Sequence, residues 1–266
     1  VAQIIPATPV QYSDVTRIQK TTDQAAYDAI ATKRTDTLYL VPVTATTTTV
    51  LNDTFTRTLT DQWGPPDTGP AWVTTGTAAN FDVNGTAGTI LHSVSSGFIV
   101  YSPINVASQE LLARWNYNAY PTAGNYILSF LLRFTNGAGY YRLKVQVNTG
   151  ATVLWLSLEK TSANTSNVLT QIGTTVTLTG RTYAANQNEW IRVQALPSTS
   201  TAGTSNIRGR VWADGSTEPT TWDLDTTDAD AQLQPAAGVA VYSVANGTAA
   251  PLPVTASILD LSVTGS

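Results

Sequence analysis

The side chains in this sequence with the types for bond-making or metal chemistry are four glutamates, one histidine and a knot of aspartates. Cleavage of a glycosidic bond by two carboxylates places them roughly 5 Å apart for retention, or wider for inversion. Glu110, Glu159, Glu189 and Glu218 stand far apart along the chain, and none belongs to a closely spaced carboxylate triplet on one strand. Glu159-Lys160 reads as the solvated end of a strand. His92 lies in the strand-like Thr89-Ile90-Leu91-His92-Ser93, and no nucleophile-elbow pattern accompanies it, so a Ser-His-Asp site is not expected. Asp223, Asp225, Asp228 and Asp230 offer oxygens of the kind Ca²⁺ takes, but without the loop glycine and terminal glutamate of an EF-hand. A solvated acidic turn is the expectation, with Asp223, Asp225 and Asp228 the ligands if calcium binds. The chain is therefore expected not to be an enzyme and to use no cofactor.

Sugar binding asks for different residues: an exposed aromatic face to stack on C–H groups and amides to read hydroxyls. The densest such stretch is Trp115-Asn116-Tyr117-Asn118-Ala119-Tyr120-Pro121, closed by Asn125-Tyr126. Trp115 belongs by pattern to a strand, whereas Tyr117 and Tyr120 read as loop. Trp115, Tyr117, Tyr120 and Tyr126 are the candidate ligand-binding residues, against the alternative that these rings are core or a subunit contact. Trp72, Trp190 and Trp222 are expected to pack.

Elements must position these side chains, and composition says which kind. Only 12% of the 266 residues are charged, 42% are hydrophobic and roughly one in six is threonine. A β-branched, hydroxyl-bearing residue suits a pleated strand with a wet outer face, so the chain reads as mainly β. With net charge −4 and 14 basic residues spread along its length, it lacks the dense cationic footprint of a nucleic-acid binder. No apolar run reaches the roughly 18 residues that would span a membrane as a helix. Residues 1–12 lack the basic flank and apolar core of a secretory signal, and the absence of cysteine removes disulfides and thiolate metal sites.

The first residues read as strand, helix, strand. Ser13 to Ile18 is strand-like, Thr21-Thr22-Asp23-Gln24 forms a capping box, and Ala26, Tyr27 and Ile30 share one helix face. Asp36 to Val41 supplies a second strand. A helix this short is marginal alone, so Ala26, Tyr27, Ile30, Leu38 and Leu40 are the candidate docking face of an N-terminal module, 1–41; the alternative is a structural flap on the main domain. Residues 42–50 (PVTATTTTV) read as a Thr-rich linker or an edge strand. From Leu51 to Ser266 alternation dominates: Tyr141–Val147, Trp190–Ala195 and Ile207–Trp212 each put apolar residues on one face, and Asn125–Phe134 reads as a central strand. Asn84-Gly85, Asn136-Gly137, Thr149-Gly150, Asp214-Gly215 and Asn246-Gly247 mark turns. Such punctuation implies an antiparallel sandwich or barrel.

Residues 52–263 resemble concanavalin A-like (laminin-G-like) jelly-roll domains. The resemblance is carried by Asp53-Thr54-Phe55-Thr56-Arg57, Trp63-Gly64 with Asp67-Thr68-Gly69 and Ala71-Trp72, Phe81-Asp82-Val83, Tyr140–Leu143, Trp190–Val193, Arg210-Val211-Trp212 with Glu218-Pro219 and Trp222, and the closing run Val254–Val263. The N-terminal pattern V-T-R-I, T-x-x-x-x-Y-D-A-I, D-T-L-Y-L-V is similar to small modules of bacteriophage tail-fibre and minor tail proteins. Together these resemblances imply a non-enzymatic phage virion protein, a minor tail or fibre component assembled in the host cytoplasm. It would dock to other virion proteins, form a homo-oligomer (a trimer), and display a lectin-like sandwich for attachment to a host-surface glycan. A capsid decoration or head-fibre protein is the alternative within the virion. A secreted polysaccharide hydrolase or carbohydrate-binding module is the alternative outside it.

Overall fold

The computed structural model describes residues 2–6, 17–20, 29–30, 37–42, 47–149, 154–163, 168–179 and 181–266. Its contacts divide the chain into two compact units, Val1–Thr46 and Thr47–Ser266.

The first unit contains β1 (Ala2–Pro6), β2 (Arg17–Lys20) and β3 (Thr37–Pro42). β3 is central, antiparallel to β1 and parallel to β2. The expected β-α-β module is not supported: among the described residues the first unit is a three-stranded sheet. Its first strand, the apolar Ala-Gln-Ile-Ile-Pro, occupies the free edge of β3 and has no counterpart in the reading above. A parallel pair needs a crossover of a dozen or so residues, which the chain between β2 and β3 supplies. Of the expected helix, Thr21–Asp28, including Ala26 and Tyr27, lies outside the described residues; Ala29 is in a turn and Ile30 in no regular element. Leu38 and Leu40 stand opposite Pro6 and Ile4 in β3.

The second unit is a sandwich of two antiparallel sheets. Its strands are β4 (Thr48–Asp53), β5 (Thr58–Leu59), β6 (Val73–Thr75), β7 (Phe81–Asn84), β8 (Gly88–His92), β9 (Gly97–Val106), β10 (Gln109–Tyr117) and β11 (Ala123–Thr135). There follow β12 (Gly139–Asn148), β13 (Leu154–Ser162), β14 (Thr170–Thr177), β15 (Glu189–Pro197), β16 (Ser205–Ala213), β17 (Leu224–Asp228), β18 (Ala237–Ala250) and β19 (Val254–Gly265). One sheet has nine strands, ordered β17-β16-β15-β10-β19-β8-β7-β5, with β4 also pairing β19. The other has seven, ordered β14-β13-β12-β11-β18-β9-β6. The segment from Thr48 onward is thus a strand bound to the closing strand, with Leu51 opposite Val263.

Alternation explains the layering. In β10 the buried residues Leu111, Ala113, Trp115 and Tyr117 face the core, and in β12 Tyr141, Leu143, Val145 and Val147 do the same from the other sheet. The Asp-Thr-Phe-Thr-Arg motif is the core's polar staple. The fully buried Asp53 carboxylate accepts from the Phe55 N–H, from both Arg57 terminal nitrogens at 2.7 and 2.8 Å, and from Trp72 Nε1 at 2.7 Å. Phe55, Trp63 and Trp72 pack edge-to-face around it, with centroids 5.2 and 5.3 Å apart. A buried charge is tolerated only when paired and hydrogen-bonded, and this carboxylate is both.

Asn136-Gly137 makes the expected β11–β12 turn, with Gly137 at φ +77°, a conformation a β-carbon disfavours. Asn246-Gly247 does not make a turn: β18 runs through it. Its register against β11 shifts there, Asn125 facing Asn246 but Ala123 facing Ala250. The glycine serves a bulge instead of a chain reversal.

Candidate functional site

The side of the seven-stranded sheet turned away from the core carries the candidate site. Cross-strand pairing sets its rows. Gln171, Glu159, Arg142, Leu131, Ala240 and Tyr101 align across β14, β13, β12, β11, β18 and β9. The next row is Ser157, Lys144, Ser129, Tyr242 and Ile99, and the next contains Trp155, Gln146 and Ile127. Leu131, Phe134 and Ala240, with Tyr101, Tyr140 and Tyr242 packed on them, form a small apolar layer on this side. At Gly97 a β-carbon would collide with the Tyr242 ring, so the glycine leaves the space which that ring occupies.

Glu159 is the charged centre, with relative exposure of 6%. Arg142 Nε donates to its Oε2 at 2.6 Å, and Lys144 Nζ and the Ser157 hydroxyl reach Oε1 at 2.7 and 2.9 Å. Burial alone would raise its pKa, but the Arg142 guanidinium, Lys144 and Ser157 outweigh that and hold it below the usual glutamate value. Glu159 therefore stays ionised near neutrality and orients two cations. Two cations to one carboxylate leave this patch positive on a molecule of net charge −4. Burial raises the Tyr140 pKa, so its hydroxyl keeps its proton as a donor.

Trp155 completes the surface. It is 40% exposed, more than any other described aromatic side chain, and stands directly across from Gln146, whose amide donates to Asn148 Oδ1 at 2.6 Å. An accessible ring beside an amide and an ammonium group can stack on a sugar face and bond its hydroxyls. Sequence reasoning missed Trp155, yet the signal is present: Leu154-Trp155-Leu156-Ser157-Leu158-Glu159 alternates, with three leucines inward and tryptophan, serine and glutamate outward.

The expected aromatic site is elsewhere and closed. Trp115, Tyr117 and Tyr126 are fully buried, because β10 extends through Tyr117 and β11 already includes Tyr126, each at an inward position. Trp115 stacks on Tyr183 at 5.6 Å. The Tyr117 hydroxyl bonds Ser243 Oγ at 3.0 Å, and the Tyr126 hydroxyl donates to the Pro251 carbonyl at 2.6 Å. Tyr120 is partly exposed, but its hydroxyl is spent on the Asn148 carbonyl at 2.7 Å. Trp115, Tyr117 and Tyr126 cannot stack on a ligand without opening the core. His92 is also buried, its Nε2 2.8 Å from the same Ser243 oxygen, and burial pushes its pKa down to about 4.

The aspartate cluster is dispersed. Asp223 accepts from the Val211 N–H, Asp225 from Arg208, and Asp228 from Tyr141 and Lys160. Among the described residues no three His, Cys, Asp or Glu side chains gather as a metal site. Asp228 and Asp230 share the Lys160 ammonium, while Asp223 and Asp225 turn to other partners.

Carboxylates separated in the chain do meet on the outer face of the nine-stranded sheet. Glu110 and Glu218 both bind Arg192, and Glu218 also binds Arg210 at 2.5 Å. Arg114 pairs Asp214 and Asp260, and Arg208 pairs Asp225. Trp190 and Trp212 stack there at 6.2 Å, and Arg210 lies 4.2 Å over Trp222. Trp190 and Trp222 are thus partly exposed surface packing rather than core.

No protein-family model and no curated protein matches the sequence. Solved structures do resemble it. An endo-acting O-glycanase of the human gut microbiota aligns with TM-score 0.54 at 11% identity, covering 81% of this chain and 98% of that one. The alginate lyase Aly36B aligns with TM-score 0.52 at 11% identity, over 73% of this chain and 86% of that one. The CBM2 module of the evolved Dit of Lactobacillus casei BL23 phage J-1 aligns with TM-score 0.49 at 11% identity, over 84% and 97%. What these structures share with this chain is the two-sheet β-sandwich fold. The expectation that the chain is not an enzyme does not stand, because polysaccharide-cleaving enzymes use this fold, and spacing along the sequence did not keep Glu110 and Glu218 apart.

Proposed function

We propose that this chain is a glycan-binding protein of a bacteriophage virion, a tail or fibre component, and that the outer face of the seven-stranded sheet holds the sugar. The observation that carries the reading is Trp155: an exposed ring in register with Gln146, one row from Lys144 and Ser157, on a sheet of the lectin-like fold. Tyr140 and Tyr242 extend the same face. The virion part rests on the likeness of the N-terminal sequence to phage tail modules, with the first unit the docking and oligomerising element.

Calorimetric titration of host-surface glycans into wild type and Trp155→Ala tests the site. Loss of a hot-spot aromatic weakens binding by about 1–3 kcal/mol. Glycan products in the same mixtures, followed by mass spectrometry, report any cleavage. Unchanged affinity in Trp155→Ala would remove the sugar from this face. Immunogold labelling of phage particles tests the virion assignment, and particles without label would overturn it.

A further inference from the structure

Arg133 sits near the end of β11, where the ladder breaks. Its register shifts between Leu132 and Thr135 against β12, and between Leu132 and Phe134 against β18. Its φ is +49°, a left-handed conformation that a residue with a β-carbon adopts at a cost. Bulges re-aim side chains, and this one turns a guanidinium inward, to 2% exposure. Nε donates to the Ala107 carbonyl at 3.0 Å, Nη1 to the Leu233 carbonyl at 2.6 Å and to Gln234 Oε1 at 3.3 Å. Nη2 has no partner. Among the described residues no carboxylate forms an ion pair with Arg133, although most other arginines there have one. Burial draws its pKa below that of a free arginine.

A buried charge without a counter-charge is costly. This one borders open space: Arg133 and Leu233, with Thr135 and Ala236, line a pocket of about 180 Å³. A second pocket of about 190 Å³ shares Thr135 and continues past Tyr140 and Thr161 onto the outer face of the seven-stranded sheet. Only Nη2 of the guanidinium keeps N–H donors for a charge-assisted bond to an oxyanion. We infer that the Arg133 pocket is an anion subsite that takes the carboxylate of an acidic sugar, the rest of the glycan lying along Tyr140 towards Trp155. The sugar as carrier of that carboxylate rests on the reading above; the oxyanion chemistry does not.

The test is calorimetric titration with an oligogalacturonate and with the same oligosaccharide after reduction of its carboxyl groups. Wild type should bind the acidic form at least about tenfold tighter, as a charge-assisted bond implies. Arg133→Gln should erase that preference and leave the neutral form's affinity unchanged. Ala236→Phe, which fills the pocket while keeping the arginine, should do the same, and it decides the matter if Arg133→Gln does not fold. Equal affinity for the two forms in wild type, or a preference surviving in Ala236→Phe, overturns the subsite. If wild type binds neither form, the glycan reading fails, and thermal shift with sodium glucuronate then judges the pocket alone. A shift lost in Ala236→Phe sustains an anion site, and no shift overturns it.

Discussion

Two clusters of aromatic and polar side chains flank the seven-stranded sheet, one in the core between the sheets and one on its outer face. Inside, Tyr117 and Tyr126 gather with Trp115, His92 and Ser243, every ring buried and every tyrosine hydroxyl bonded. Outside, Trp155, Tyr140 and Tyr242 gather with Lys144, Arg142 and Gln146, and the tryptophan is exposed. Residue type does not separate them. Strand parity does: Tyr126 and Ile127 are one residue apart and face opposite ways. Exposure then separates the two clusters: the inner rings are closed off in the core, and the Trp155 ring is open to solvent.

The sharpest break in that comparison is Tyr117→Ala. Removing a fully buried ring leaves a cavity and takes from Ser243 one of its two hydrogen-bond partners, so stability should fall by about 3–5 kcal/mol in denaturant unfolding. The effect belongs to stability, and binding per folded molecule should be unchanged. His92 gives a pH signature of the inner cluster. Its folded pKa, about 4, lies below the unfolded value of about 6.5. Below pH 6.5 the unfolded chain takes up a proton that the folded one refuses, so stability drains as pH falls towards 4. The full loss is on the order of 3 kcal/mol, and His92→Gln should flatten that limb of a pH–stability profile.

The outer cluster should answer differently. Trp155→Ala should move unfolding free energy by no more than about 0.5 kcal/mol, as an exposed position does, while costing the binding described above. A large stability loss would show that the two clusters are not distinct in kind. Glu159 acts in the same direction as His92 but at lower pH: its folded pKa is lowered, so its contribution is present above the unfolded glutamate pKa and is lost as acid protonates the folded carboxylate. Glu159→Gln should therefore reduce the acid sensitivity below about pH 4.5. The smallest expected effect is Ser129→Ala. That hydroxyl is buried without a partner, so its removal should be neutral or stabilise by up to about 1 kcal/mol.

Alternation made β12, β15 and β16 legible in the sequence, and the apolar run made β11 legible as a central strand. The Asp53 motif was legible too, since its partners Phe55 and Arg57 are local. Tyr117 was misread because asparagines on either side suggested a loop, although Trp115-Asn116-Tyr117 keeps the strand period. The meeting of Glu110 with Glu218 could not be read, because it depends on β15 placing Arg192 between residues 108 positions apart (218 − 110). Nor could Arg133: a bulge is a mismatch between strands, and no single strand's sequence displays it.

In the sandwich, Thr48 pairs with Gly265. A chain therefore enters and leaves this unit at adjacent points, as the two contacts of a plug share one face. Such a unit can be spliced into a surface loop of another protein without stretching its host. It can also be circularly permuted by joining those ends with a short linker and opening the chain at Asn136-Gly137. The geometry makes the sandwich a transferable cassette, able to pass between carriers as a whole with both sheets intact.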